Sequence, residues 1–178
     1  RAAAAQDAGA FDAEITAVNG VSRDDGIRRG SSPADLAKLK PAFKEDGVVT
    51  AASSSQITDG AAAVLIASER AVREYGLKPR ARIVAMATAG CDPTIMLTAP
   101  VPATRRALAQ AGLSIGDIDA VEINEAFASV ALGCGRELGF DFAKTNVHGG
   151  AIALGHPLGA SGARLFATLL GVLDRSGG

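Results

Sequence analysis

Residues 149–164 read GGAIALGHPLGASGAR and hold five glycines, one proline and one of the chain's two histidines. Glycines permit sharp backbone turns, and Pro157 keeps the preceding residue, His156, extended. The apolar run LFATLLGVL follows at once. The pattern predicts a strand over AIAL, a tight turn at His156 and a helix over residues 160–173 that is buried between sheets.

The spacing of these glycines excludes the two common nucleotide-binding loops. Neither GxGxxG nor GxxxxGK[ST] fits glycines at positions 149, 150, 155, 159 and 162. A strand–turn–helix at the mouth of a layered fold is nevertheless a place where ligands bind. From the residues alone, His156 is therefore either a site residue or a packed structural histidine.

Predicted helices and strands alternate along the chain. Helices are predicted over residues 1–9, 33–40, 68–76, 102–112, 124–139 and 160–173. Strands are predicted over residues 11–18, 48–51, 59–68, 82–90, 120–123 and 151–154, and a charged loop over 19–32. Ser32 fits as a helix N-cap, and Gly76 and Gly112 fit as helix ends. The alternation predicts an α/β layered domain with a covered, mixed sheet, in which 59–68 and 82–90 are buried strands.

Composition narrows the class of protein. The chain has 178 residues, of which 48% are apolar and 21% charged, and its formal net charge is −1. It can build a real core, and without a basic block it is not expected to bind nucleic acid. The chain contains no CxxC or HExxH motif, so no metal site is predicted. It has no apolar run of about 18 residues, so no membrane span is predicted. Cys91 and Cys134, the only cysteines, indicate reduced thiols of a cytoplasmic protein.

The segment VEINEAFA is a second candidate site. Asn124 and Glu125 stand where a predicted strand turns into a helix. Asn124 fits as an N-cap, but its amide can instead direct a donor, directly or through water, at a charge that develops on a substrate. Glu125 is expected to support the N-terminus of that helix.

Together these motifs resemble one family. NEAFA followed by NVHGGAIALGHPLGASGAR is similar to the C-terminal half of the thiolases, the acetyl-CoA acetyltransferases and 3-ketoacyl-CoA thiolases. The segments LKPAF, VTAASSSQITDGAAAV and DPTIMLTAPVPATRRAL extend the resemblance over nearly the whole chain. It implies a thiolase-like layered αβαβα fold. Residues 1–58 would end the N-terminal and loop region, and residues 59–178 would form the C-terminal domain without its final cysteine-bearing strands.

The resemblance also implies an activity, namely acyl transfer on acyl-CoA thioesters. The direction is either thiolytic cleavage of a 3-ketoacyl-CoA or condensation of acetyl-CoA. His156 would take the proton of a nucleophilic cysteine and donate to the thioester oxygen, and an imidazole that titrates near neutrality suits this role. Asn124 would hold a water that forms an oxyanion hole together with His156. Coenzyme A and acyl-CoA are the expected partners, as substrates, and no cofactor is expected.

Six further residues match positions at the family's substrate. These are Ser55 at the pantetheine arm of coenzyme A, Ala51, Phe43 and Met96 along its channel, and Ala126 and Phe127 beside the acyl group. For Phe43 and Met96, packing in the core is an equal alternative.

Three departures from the family pattern change these expectations. Gln56 stands where the family commonly has glycine, and it is expected to narrow the pantetheine channel. His148 replaces a frequent asparagine and is expected to be structural. The MLTAP sequence replaces the more frequent M-G-x-G-P and is expected to reshape the acyl pocket.

In the family the nucleophilic cysteine lies in the N-terminal half and a second catalytic cysteine lies in a final strand. Neither Cys91 nor Cys134 matches these positions, so the 178 residues are expected to supply a site without its nucleophile and to be inactive alone. A non-catalytic thiolase-like subunit, acting as a structural partner, is the alternative. The related ketoacyl synthases are disfavoured because they usually have histidine where this chain has Asn124. A homodimer or homotetramer is expected.

Overall fold

A computed structural model describes residues 1–177, and seven α-helices are assigned within them. They are α1 (Ala2–Asp7), α2 (Pro33–Leu36), α3 (Glu69–Glu74), α4 (Pro100–Ala111), α5 (Ala128–Leu138), α6 (Ala151–Leu154) and α7 (Ser161–Ser176). Short 3₁₀ turns lie at Ala51–Ser53 and Ile115–Asp117. Residue 178, the last residue of the predicted C-terminal domain, lies outside the described part of the chain.

The helix ends follow the signals in the sequence. Ser32 Oγ accepts a hydrogen bond of 3.2 Å from Asp35 N and so caps α2. Ser68 caps α3 in the same way. Helices α4 and α5 end at Gly112 and Gly139, whose φ angles of 68° and 75° lie in the left-handed region. Glycine takes this conformation without a steric penalty, which explains why the predicted helix ends are confirmed here.

In the described part of the chain, the structure does not contain the predicted buried strands. Within residues 1–177 the structure has isolated β-bridges, and none of them extends into a β-ladder. The bridges join Val18 to Val21, Pro41 to Thr50, Ser54 to Phe127 and Val121 to Thr145. Residues 59–68 and 82–90 have no regular secondary structure, and Leu65 and Val84 are 83% and 68% exposed. The prediction of buried strands is wrong for both segments. A strand needs a neighbouring strand to pair with, and no described residue pairs with either segment.

Two other predicted strands adopt helical or turn conformations. Residues 11–14 form turns that follow α1, and they place Phe11 in a small apolar cluster with Ala5 and Ala10. AIAL forms the short helix α6 rather than a strand. Alanine and leucine both favour helix, and side chains from elsewhere in the chain cap both ends of α6, as described below.

The long helices pack around a second apolar cluster. Ile123, Val130 and Cys134 form its buried centre, and Val101 of α4 is among the residues packed against it. Helix α4 packs against α5. This cluster fixes residues 121–127 against α5 and so places the NEAF segment.

Helix α7 is less buried than predicted. Only Ser161 and Thr168 are fully buried within it, and Phe166 is 49% exposed. The predicted burial between sheets is therefore wrong for the described residues of this helix. No helix among residues 1–177 combines the length and apolar character needed to cross a membrane.

Asn146 keeps residues 121–125 extended. Its Oδ1 accepts from the backbone N–H of Ile123 at 2.9 Å, and its Nδ2 donates to the Ile123 carbonyl at 2.9 Å. The same Nδ2 donates to Glu125 at 2.8 Å. The Asn146 side chain thus pairs with both backbone groups of Ile123, the N–H and the carbonyl, as a neighbouring strand would. Extended backbone here delays the start of α5 to Ala128, so the predicted helix start at residue 124 is wrong, and Asn124 is not its N-cap.

We predict that Asn146→Ala lowers the free energy of unfolding by about 2–3 kcal/mol, because buried backbone groups of Ile123 lose their partners. Asn19→Ala is the matched control. Asn19 has a φ of 50° against 45° for Asn146, so both substitutions place alanine in the left-handed region, but Asn19 is exposed. Urea denaturation measures both variants. Equal losses of stability would show that the side-chain hydrogen bonds of Asn146 contribute nothing.

Candidate active site

His156 lies in the turn between α6 and α7. The chain leaves α6 at Gly155, whose φ is 94°, and a Cβ at this position would overlap the side chain of Thr58. Glycine is therefore required by both conformation and space. The backbone N–H of His156 then donates to the carbonyl of Gln56 at 2.9 Å.

Both ring nitrogens of His156 have side-chain partners. Nδ1 lies 2.6 Å from Ser161 Oγ, at the start of α7. Nε2 lies 3.1 Å from Asn124 Nδ2, in the extended NEAF segment. Ser161 is only 4% exposed, and His156 and Asn124 are partly buried. The imidazole thus lies between Asn124, which is 32 residues away in the chain, and Ser161, which is 5 residues away.

The contacts of Ser161 and Asn124 favour one tautomer of the neutral ring. Ser161 has one hydroxyl proton, and it is assigned to the hydrogen bond with the Pro157 carbonyl at 3.0 Å. With this assignment the hydroxyl accepts from His156, and Nδ1 carries the proton of the ring. Nε2 is then the free base, and it accepts from the amide of Asn124. A lone pair on Nε2 is what a general base needs.

The predicted catalytic pair therefore shares one site. Once Nε2 takes up a proton, Nε2–H and the Asn124 amide are two donors whose nitrogens are 3.1 Å apart. Two donors at this separation can bond to the same oxygen. Asn124 Oδ1 is buried and accepts no hydrogen bond from the described residues.

Glu125 acts at a different helix from the one expected. Its Oε2 accepts from Ile152 N at 3.2 Å, in the first turn of α6, and its Oε1 accepts from Asn146. A Cβ at Gly150 would overlap the Glu125 carboxylate. The prediction that Glu125 supports the following helix, α5, is wrong, because that helix begins at Ala128 and the carboxylate accepts from Asn146 and Ile152 N instead. Its carboxylate caps α6 instead.

Most of the predicted substrate-binding residues lie together. The rings of Phe43 and Phe127 contact edge to face, with centroids 5.9 Å apart. Ser55 N donates to the carbonyl of Ala126 at 3.1 Å, and Ala51 lies in the neighbouring 3₁₀ turn. Phe43 is 73% exposed, so its alternative role in the core is wrong.

Met96 lies in the loop before α4. No hydrogen bond or aromatic contact of the described residues joins it to the other predicted positions. It is 54% exposed and is therefore not a core residue. Met96 and Leu97 both have positive φ angles, 49° and 58°, so the MLTAP sequence makes an unusual turn.

The side-chain amide of Gln56 contacts three backbone carbonyls. Nε2 donates to the carbonyl of Gly26 at 2.9 Å and lies within 3.3 Å and 3.5 Å of the carbonyls of Ala153 and Ile152. These contacts do not test the expected narrowing of the pantetheine channel, which stays a prediction. They connect the charged loop 19–32 to the end of α6.

The other histidine and the two cysteines lie outside the His156 contacts. His148 packs edge to face on Phe11, at 6.0 Å between centroids, and burial lowers its pKa, with Arg175 lowering it further. Cys91 is exposed, and its hydrogen bond with Thr98 lowers the pKa of its thiol. Cys134 is buried, which raises its pKa. Among residues 1–177 no cluster of His, Cys, Asp and Glu is suited to a metal ion.

Glu122 and Arg164, two charged residues with buried terminal atoms next to the site, were not identified from the sequence. Burial raises the pKa of Glu122 to about 7, Arg164 opposes this, and Glu125 and Glu14 raise it further. Glu122 Oε2 and both terminal nitrogens of Arg164 are buried without a partner among the described residues. The signal in the sequence is the spacing of two from Glu122 to Asn124, which puts both on one side of an extended segment.

Comparison with protein families identifies the class of protein. Residues 1–70 match the thiolase N-terminal domain, and residues 77–178 match the thiolase C-terminal domain. The chain belongs to the thiolase family, as the motifs predicted.

Individual relatives agree with this assignment. The steroid 3-ketoacyl-CoA thiolase FadA6 of Mycobacterium tuberculosis is 56% identical over 181 residues, covering 100% of this chain and 44% of the relative. An acetyl-CoA acetyltransferase of Chromobacterium violaceum is 52% identical, covering 99% of this chain and 47% of the relative. The chain thus spans about half the length of these relatives.

A solved structure confirms the fold. Human mitochondrial 3-ketoacyl-CoA thiolase, crystallised in complex with CoA, superposes with a TM-score of 0.93 at 45% identity. The superposition covers 99% of this chain and 46% of the human one. The predicted α/β thiolase-like fold is confirmed, although the separate strand predictions are not.

We predict that neutral His156 carries its proton on Nδ1, which ¹⁵N NMR of labelled histidine detects directly. Ser161→Ala removes the acceptor of that proton and is expected to raise the fraction protonated at Nε2. The control is Ser176→Ala on the same helix, where the lost hydroxyl donates to the Leu173 carbonyl at 3.0 Å. A wild-type ring protonated at Nε2 would contradict the assigned tautomer.

Proposed function

We propose that the protein containing this chain is an acyltransferase that acts on acyl-CoA thioesters. It cleaves 3-ketoacyl-CoA by thiolysis or, in reverse, condenses acetyl-CoA. The observation that supports this most directly is the Asn124–His156–Ser161 arrangement, in which Nε2 of the histidine lies 3.1 Å from the asparagine amide and Nδ1 lies 2.6 Å from the Ser161 hydroxyl.

His156 is proposed to act first as a base and then as a hydrogen-bond donor. Nε2 takes the proton of a cysteine thiol, and the thiolate attacks the carbonyl of the substrate. That nucleophile is proposed to lie outside the 178 residues, because Cys91 contacts Thr98 and Cys134 packs with Ile123 and Val130. The protonated Nε2 then donates to the thioester oxygen.

Asn124 is proposed to complete an oxyanion hole with His156. Cleavage or formation of the carbon–carbon bond passes through an enolate, whose oxygen carries negative charge. The amide of Asn124, directly or through a water, and Nε2–H would donate to this oxygen together. Such fixed donors stabilise the developing charge without reorganising at the moment of reaction.

Coenzyme A and acyl-CoA are the proposed ligands, as substrates, and no cofactor is proposed. Ser55 would meet the pantetheine arm, with Ala51, Phe43 and Met96 along its channel. Ala126 and Phe127 would border the acyl group. The contacts among Phe43, Ser55, Ala126 and Phe127 support a common surface for this ligand.

Assembly and location complete the proposal. A cytoplasmic homodimer or homotetramer that serves fatty-acid metabolism, including β-oxidation, is proposed. A non-catalytic subunit is less well supported, because Asn124, His156 and Ser161 keep a geometry suited to catalysis.

We predict that His156→Ala and Asn124→Ala each lower kcat by about 100- to 1,000-fold, since each removes a base or an oxyanion donor. Thiolysis of acetoacetyl-CoA in the protein that contains this chain is the assay. Cys91→Ser is the control and is expected to keep wild-type kcat, because the thiol of Cys91 faces Thr98. Near-unchanged turnover in His156→Ala would overturn the proposed role.

A further inference from the structure

Helix α6 ends just before His156 and leaves carbonyl groups unpaired. Its four residues make few internal bonds, such as Leu154 N to Gly150 O at 2.9 Å and Gly155 N to Ala151 O at 2.9 Å. In a continuing helix, the N–H of His156 would donate next, to the carbonyl of Ile152. That N–H donates to the carbonyl of Gln56 instead. The carbonyls at the end of α6 therefore need other donors.

Gln56 supplies those donors. The backbone carbonyl of Gln56 receives the His156 N–H at 2.9 Å. Its side-chain amide lies 3.3 Å and 3.5 Å from the carbonyls of Ala153 and Ile152. Gln56 thus accepts a hydrogen bond from the His156 N–H and donates to the unpaired carbonyls at the end of α6.

The same amide reaches a third acceptor, in the loop of residues 19–32. It has two N–H protons and three carbonyls within reach. The shortest contact, 2.9 Å to Gly26, takes one proton, and the two carbonyls of α6 share the other. Gln56 therefore ties the charged loop and the end of α6 to one point of the backbone beside His156.

We infer that Gln56 is a positioning residue for His156, which fixes where the backbone leaves α6 and so where Nε2 meets Asn124. Because Gln56 acts through His156, this role rests on the proposed function. A glycine at position 56 would offer the backbone carbonyl but no side-chain amide, so the contacts with Gly26, Ile152 and Ala153 depend on the glutamine side chain.

Steady-state kinetics of Gln56→Ala and Gln56→Gly in the protein that contains this chain test the inference. Small displacements of a catalytic group are costly, so we expect kcat to fall roughly 10- to 100-fold while KM changes less than about threefold. The matched control is Ser32→Ala, which removes the side-chain cap of α2, another four-residue helix. It is expected to leave kcat unchanged.

Gln56→Glu provides a readout that loss of stability alone would not move. An ionised carboxylate cannot donate to the three carbonyls and is repelled by them, whereas a protonated carboxyl can donate one hydrogen bond. The ratio of kcat in Gln56→Glu to kcat in Gln56→Ala should therefore rise as the pH is lowered from about 8 to about 6. A ratio independent of pH would contradict hydrogen-bond donation by residue 56.

The outcomes separate this inference from the proposed function. If His156→Ala is inactive but both Gln56→Ala and Gln56→Gly keep wild-type kcat, the positioning role is wrong and the proposed function stands. A raised KM with unchanged kcat would instead assign Gln56 to the pantetheine channel and would also overturn the positioning role. If His156→Ala is fully active, the proposed function itself fails.

Discussion

The contact between the Asn124 amide and Nε2 of His156 is the constraint on which the rest of the site depends. It joins two segments that are 32 residues apart, and neither segment could hold its side chain there by local structure alone. Asn124 lies in an extended segment whose backbone is hydrogen-bonded by the side chain of Asn146. His156 follows a turn that only glycine at position 155 permits. The chemistry follows from this placement, because a base and an amide donor then lie 3.1 Å apart.

Helix α6 shows how the two segments are brought into register. Glu125, the residue after Asn124, caps its N-terminal end, and Gln56 donates to carbonyls at its C-terminal end. A helix of four residues is too short to be stable by itself, so its position is set by these side chains. Any shift of the NEAF segment is thereby transmitted through Glu125 to the helix that precedes His156.

Part of the molecule could be predicted from the sequence and part could not. His156 and Asn124 were found because their motifs occur together and in order, and helix ends at Gly112 and Gly139 were found because capping is a local property. The strands were not, because residues 59–68 are apolar enough for a buried strand yet have no pairing partner among residues 1–177. The roles of Asn146 and Gln56 depend on contacts between distant segments, which no local pattern encodes.

A double-mutant cycle on Asn124 and His156 tests most directly whether the two side chains act on one oxygen. The effects of groups that work as a unit are strongly non-additive, so we expect the double variant, Asn124→Ala with His156→Ala, to lose at most about tenfold more kcat than the worse single variant. If the two losses simply multiply, the side chains act independently, and the shared oxyanion site is contradicted.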